Sequence, residues 1–143
     1  MPQPITALAL GIDLQADGEA ALFKWLLASF LMGKRIRATA AMNAYRVIVD
    51  KGRHDTPRAL IKCTHRDLVR MLGEGGYARY DESTARRLHA LAAKLANDYE
   101  GTLSHMRGIS SDLKDFERRL LEFEGIGPKT VEIFMREARA VLE

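Results

Sequence analysis

The run Leu120-Leu121-Glu122-Phe123-Glu124-Gly125-Ile126-Gly127-Pro128-Lys129-Thr130-Val131-Glu132-Ile133-Phe134 decides the fold of this 143-residue chain. Leu113, Phe116, Leu120 and Phe123 recur at i, i+3, i+7 and i+10, the spacing of one helical face. Val131, Phe134, Ala138 and Val141 repeat that spacing on the far side of Gly-Ile-Gly-Pro. Gly125 is placed to stop the first helix, because glycine takes the left-handed conformation without a Cβ penalty. Pro128 suits the first turn of the second, where its missing N–H costs nothing. Ile126, apolar between two glycines, should point back and pin the helices together. The first-turn N–H groups of the second helix then face outward beside Lys129 and Thr130, and glycine lets a phosphate approach them.

Working outward, the chain reads as all-α, with about seven helices and no strand alternation longer than four residues. Residues 1 to about 16, with two prolines, read as an N-terminal arm, and 17–143 as a single helical domain. Asp17 is a plausible N-cap for a helix to Met32, with Leu22, Trp25, Leu26, Ser29 and Phe30 on a broad apolar face and Gly33 as its end. A second helix is expected from about Arg35 to Val49, facing inward through Ile36, Ala40, Asn43, Ala44, Val47 and Ile48. Thr56-Pro57 and Thr64 cap two short helices. Gly73–Gly76 is a turn, and Asp81 caps a long helix to about Tyr99. Gly101 to Gly108 reads as a loop. Ser110 or Ser111 is expected to cap the helix leading into the central turn.

Composition limits the function. With 47% hydrophobic and 29% charged residues the chain can bury a core and stay in solution. No apolar run approaches the ~20 residues of a membrane span, and Met1-Pro2-Gln3-Pro4 does not begin a signal peptide. Cys63 is the sole cysteine, which excludes an internal disulfide and a four-cysteine cluster and suits a reducing cytoplasm. The net charge is only +3. Its distribution is uneven: between Lys34 and Arg53 stand Lys34, Arg35, Arg37, Arg46, Lys51 and Arg53 against the single acid Asp50. Basic residues gathered at one turn can meet phosphates without a strongly basic whole.

Phe123-Glu124-Gly125-Ile126-Gly127-Pro128-Lys129-Thr130-Val131 resembles the helix-hairpin-helix motif of DNA-binding proteins, apolar-x-Gly-apolar-Gly-x-x-[Thr/Ser]-apolar, across about residues 112–142. The order of elements from about residue 20 onward is similar to that of the helix-hairpin-helix–GPD, or endonuclease III-like, DNA glycosylases of base excision repair. Leu26–Leu31 looks like that family's first core helix, and Gly76-Tyr77-Ala78-Arg79 with Ala85-Arg86-Arg87-Leu88 like its Gly-apolar-Tyr segment and the next helix. The resemblance implies a six-helix-barrel-like domain and a double-stranded DNA partner in the cytoplasm, associated with the nucleoid. It implies contacts to the duplex backbone at Gly125, Ile126, Gly127, Lys129 and Thr130. Lys34, Arg35 and Arg37 are expected to add to them.

The same resemblance puts Lys129 at the position of the lysine that attacks the sugar C1′ in lyase-competent members. It also implies that the carbonyls of Leu121, Phe123 and Ile126 hold a Na⁺ or K⁺ ion. The family's catalytic aspartate lies in a loop beyond the hairpin, and no residue up to Glu143 can be matched to it. The iron–sulfur cysteines have no counterpart, so no cluster or other cofactor is expected. The catalytic set is thus incomplete, and the expectation is DNA binding with at most weak abasic-site lyase activity. Against it stands a non-catalytic structural or protein-interaction domain, for which Glu117, Glu122, Glu124, Glu132 and Glu137 around the motif argue. Glu124 in particular should repel a phosphate. His54, His65, His89 and His105 show no metal spacing. Trp25 and Tyr45 read as packing; Tyr77, Arg79 and Tyr80 as core or as the rim of a pocket.

Overall fold

The computed structural model describes residues 4–143, apart from the Ala78 side chain. Residues 1–3, the start of the expected arm, lie outside the described residues. The described residues form eight α-helices and no strand: α1 (Gly18–Met32), α2 (Ala38–Tyr45), α3 (Pro57–Lys62), α4 (His65–Glu74), α5 (Asp81–Asp98), α6 (Leu103–Ile109), α7 (Leu113–Leu121) and α8 (Pro128–Leu142). None is long and apolar enough to cross a membrane.

α1 is apolar around its whole circumference, which a helix tolerates only when neighbours cover every side. Ala21, Leu22, Phe23 and every residue from Trp25 to Leu31 are buried. It packs against α2, α6 and α8, while α5 carries α3 and α4. Buried Trp25 donates its indole N–H to the Phe134 carbonyl at 3.1 Å, and the Tyr77 hydroxyl donates to the Leu31 carbonyl at 3.0 Å. Each such bond contributes about 1 kcal/mol net and, being directional, fixes the axial position of α1. Trp25, Tyr45 and Tyr77 are therefore core residues, whereas Tyr80 stands 41% exposed.

Several expectations need correction. The stretch read as an arm is folded onto the core: Ala7, Leu10, Ile12 and Leu14 are buried, and the Ala7 N–H donates to Glu137 of α8 at 2.8 Å. The loop expected at Gly101–Gly108 contains α6, whose N-cap Thr102 accepts from the His105 N–H. This additional helix raises the count from seven to eight. Asp112, not Ser110 or Ser111, caps α7 by accepting from the Asp115 N–H at 2.8 Å. α2 starts at Ala38 rather than Arg35, and its end winds into a π turn at Arg46–Lys51. Within α2 the buried face runs through Ala41, Ala44 and Tyr45, which leaves Asn43 exposed, and the wider turn that follows puts Ile48 and Val49 both inside. Thr56 and Thr64 cap α3 and α4 as expected.

Candidate functional site

α7 and α8 are joined by residues 122–127. Gly125 has φ +87°, the left-handed value that the glycine was expected to supply. It is also a point of contact: a Cβ there would stand 2.9 Å from Arg87 Cδ and 3.0 Å from the Phe30 ring. Ile126 points inward at 5% exposure, and its N–H donates to the Phe123 carbonyl at 3.1 Å. Gly127 is the N-cap of α8 in extended conformation, and a Cβ on it would meet nothing within 4 Å. The two glycines serve different ends. Gly125 is needed for backbone shape and fit; Gly127 leaves the surface open.

At the start of α8 the Val131 N–H is bonded to the Gly127 carbonyl. The N–H groups of Gly127 and Lys129 have no protein acceptor among the described residues. Lys129 is exposed. Thr130, expected as a DNA contact, is only 2% exposed, because its side chain is pressed against Gly33 at the end of α1. A Cβ on Gly33 would lie 2.1 Å from Thr130 Oγ1, so glycine ends α1 for want of room, at an ordinary φ of −76°.

The Gly33–Thr130 contact brings two distant turns together. Two shallow depressions adjoin there: one lined by Gly33, Lys34 and the 125–130 turn, the other by Gly33 to Arg37 with Lys129. Lys34, Arg35, Arg37 and Lys129 thus share one small face, although 92 residues separate Arg37 from Lys129 by number (129 − 37). Arg37 stands at a helix start as expected, as the extended N-cap of α2, whereas Arg35 lies in the connection before it. Arg35, Arg37 and Lys129 pair with no carboxylate among the described residues.

Lys34 behaves differently. It is half-buried, donates to the Gly125 carbonyl, and sits 4.6 Å from the centroid of the Phe30 ring. Burial, and secondarily repulsion from Arg87, lower its pKa. Three of the acids around the turn are matched by arginines of the same chain: Glu124 by Arg87 at 3.5 Å, Glu122 by Arg118 at 3.6 Å and Glu117 by Arg139 at 3.5 Å. Glu137 is engaged by the Ala7 N–H. The Glu124 carboxylate beside the turn is therefore partly offset in place.

No cluster of three or more His, Cys, Asp or Glu with metal-binding geometry occurs among the described residues. Cys63 is buried; His65 meets Glu82 at 2.7 Å and His89 meets the Cys63 carbonyl at 2.6 Å. No protein-family model, curated protein or solved structure matches the chain.

Proposed function

We propose that this protein binds the backbone of double-stranded DNA through the face built by the 33–37 and 125–130 turns. The observation that carries the proposal is the convergence of three unpaired cations, Arg35, Arg37 and Lys129, on the free first-turn N–H groups of a fifteen-residue helix. Cations and oriented N–H groups on one open surface suit a phosphodiester, and the helix dipole adds to them. In this proposal the turn is a helix-hairpin-helix and the domain a six-helix-barrel relative of the base-excision glycosylases. Gly127 and Lys129 meet one phosphate, and Arg35 and Arg37 each meet a further one. Such contacts position a protein on the duplex without reading its sequence. The carbonyls of Leu121, Phe123 and Ile126 would hold a monovalent cation beside the bound phosphate.

The proposal is tested by duplex affinity against salt. Log K should fall linearly with log[salt], at a slope near −0.9 per phosphate neutralised. Lys129→Glu should abolish retention on duplex while leaving the fold intact, since Lys129 is exposed. A flat salt response, or no binding at low salt, refutes it. Chemistry on this surface is limited to Lys129 as a Schiff-base amine at an abasic sugar. The activity expected is slow strand cleavage at existing abasic sites, without excision of a base.

A further inference from the structure

We propose that Lys34 is a positioning residue and not a phosphate contact: its ammonium, held on the Gly125 carbonyl, fixes the α7–α8 turn against the end of α1. This rests on the DNA-binding proposal for its consequence, but its physical basis is independent of any ligand. Four groups meet at one point. The Lys34 Nζ donates to the Gly125 carbonyl and faces the Phe30 ring. The same ring is 3.0 Å from where a Gly125 Cβ would stand, and Arg87 Cδ closes the other side at 2.9 Å. Phe30 is 0% exposed and belongs to α1, the most enclosed helix of the fold. Gly125 is thus clamped between a rigid ring, an arginine stem and a hydrogen bond from below.

The energetics favour this placement. A half-buried ammonium loses hydration, and the carbonyl dipole and the ring face replace part of it. To reach a phosphate, Lys34 would have to abandon both. Arg35 and Arg37, on either side of Ile36, hold no such partners and are exposed. Among the described residues, the Lys34–Gly125 bond is the one hydrogen bond that ties the left-handed turn to the end of α1. Among four neighbouring cations, one is built into the scaffold and three face outward.

The test combines binding with hydrogen exchange in the full chain. Lys34→Met removes the donor and keeps the stem, Lys34→Gln keeps a neutral donor, and Lys129→Met removes an outward cation. Lys34→Met should weaken duplex binding about tenfold, the loss of one charge-assisted hydrogen bond, at nearly unchanged salt slope. Lys34→Gln should restore most of that loss. Lys129→Met should make the slope shallower by about 0.9. The Ile126 amide, bonded within the turn, should exchange about tenfold faster in Lys34→Met at unchanged global melting and should be unaffected in Lys129→Met. A slope change in both Lys34 variants as large as that of Lys129→Met overturns the assignment. So does an Ile126 exchange rate equal to wild type. If the wild-type protein fails to bind duplex, the proposed function fails, while the exchange measurement still decides the role of Lys34.

Discussion

Gly125 and Gly127 stand two residues apart in one turn and should respond oppositely to the same added methyl. At Gly125, φ +87° puts an alanine in the left-handed region, which costs roughly 1–2 kcal/mol. The new Cβ would also press on Arg87 Cδ at 2.9 Å and on the Phe30 ring at 3.0 Å. The arginine can shift, but the ring is fully enclosed, and overpacking of this kind typically adds about 1–3 kcal/mol. The sum is about 2–5 kcal/mol, or about 6–15 °C of melting temperature at about 3 °C per kcal/mol for a domain of this size. At Gly127 the backbone is extended and the space is open. Gly127→Ala should therefore stay within about 1 kcal/mol of wild type, the entropy gained in the unfolded chain offsetting a poorer N-cap. Its methyl would, however, occupy the open surface where a phosphate must approach, so duplex affinity should fall about tenfold, or 1.4 kcal/mol. Melting followed by circular dichroism and binding followed by fluorescence anisotropy separate the two effects. If Gly125→Ala melts within about 2 °C of wild type, or about 0.7 kcal/mol, or if Gly127→Ala is the less stable of the pair, the assigned roles are wrong.

Other outcomes follow from the same contacts. Glu19 of α1 accepts from the Leu103 N–H, the Ser104 N–H and the Ser104 hydroxyl, so Glu19→Ala should cost about 1–3 kcal/mol and speed amide exchange in α6 before the rest of the chain. Asp115 is held at a pKa of about 2, first by the Ser111 N–H and then by Arg118. Its folded pKa lies below the unfolded value, so the stability it contributes is present above about pH 4 and lost as pH falls toward 2. Asp115→Asn should flatten the acid limb of a stability–pH profile over that window. Borohydride should trap a covalent adduct on abasic duplex that disappears in Lys129→Ala; normal binding without an adduct would leave Lys129 as a phosphate contact only.

What the sequence disclosed and what it concealed divide along the range of the interactions. Thr56 and Thr64 cap with the N–H three residues on, so both could be read locally. The left-handed φ of Gly125 could be read too, but α7 already ends at Leu121, with Glu122 as its C-cap, so the glycine shapes the turn and does not stop the helix. α6 was hidden because its Leu103 and Ser104 N–H groups are held by Glu19, 84 residues before Leu103, and its short sequence carries a glycine one residue before its end. The local signal that could have revealed it was Thr102 three residues before His105, a cap of the same kind as Thr56. In α2 the inward face lies at Ala41, Ala44 and Tyr45, a rotation from Ala40 and Asn43 that the small apolar residues on both sides do not signal, and the π turn after it breaks the 3.6-residue period as far as Lys51. The N-terminal segment looked like an arm because its anchor, Glu137, lies in the last helix. At the candidate site the motif located the turn and its glycines correctly. It could not distinguish a cation facing solvent from one enclosed by Phe30 and Gly125, nor foresee that Thr130 is consumed by contact with Gly33.

In the proposed function, that distinction lets a chain of net charge +3 offer outward cations to a polyanion. Arg87, Arg118 and Arg139 each stand against a glutamate near the turn, and these exposed pairs contribute little stability but cancel charge locally. Lys34 is turned onto a carbonyl. Arg35, Arg37 and Lys129 are left uncancelled, on the side where Gly127 leaves the helix start open. Three outward cations give an expected salt slope of about −2.7, three times −0.9, whereas counting Lys34 as a fourth contact would give about −3.6. The difference is within the resolution of a careful salt titration on a single duplex. A slope near the steeper value would mean that Lys34 leaves Gly125 when DNA binds, and that the turn is reshaped by its ligand instead of being set in advance.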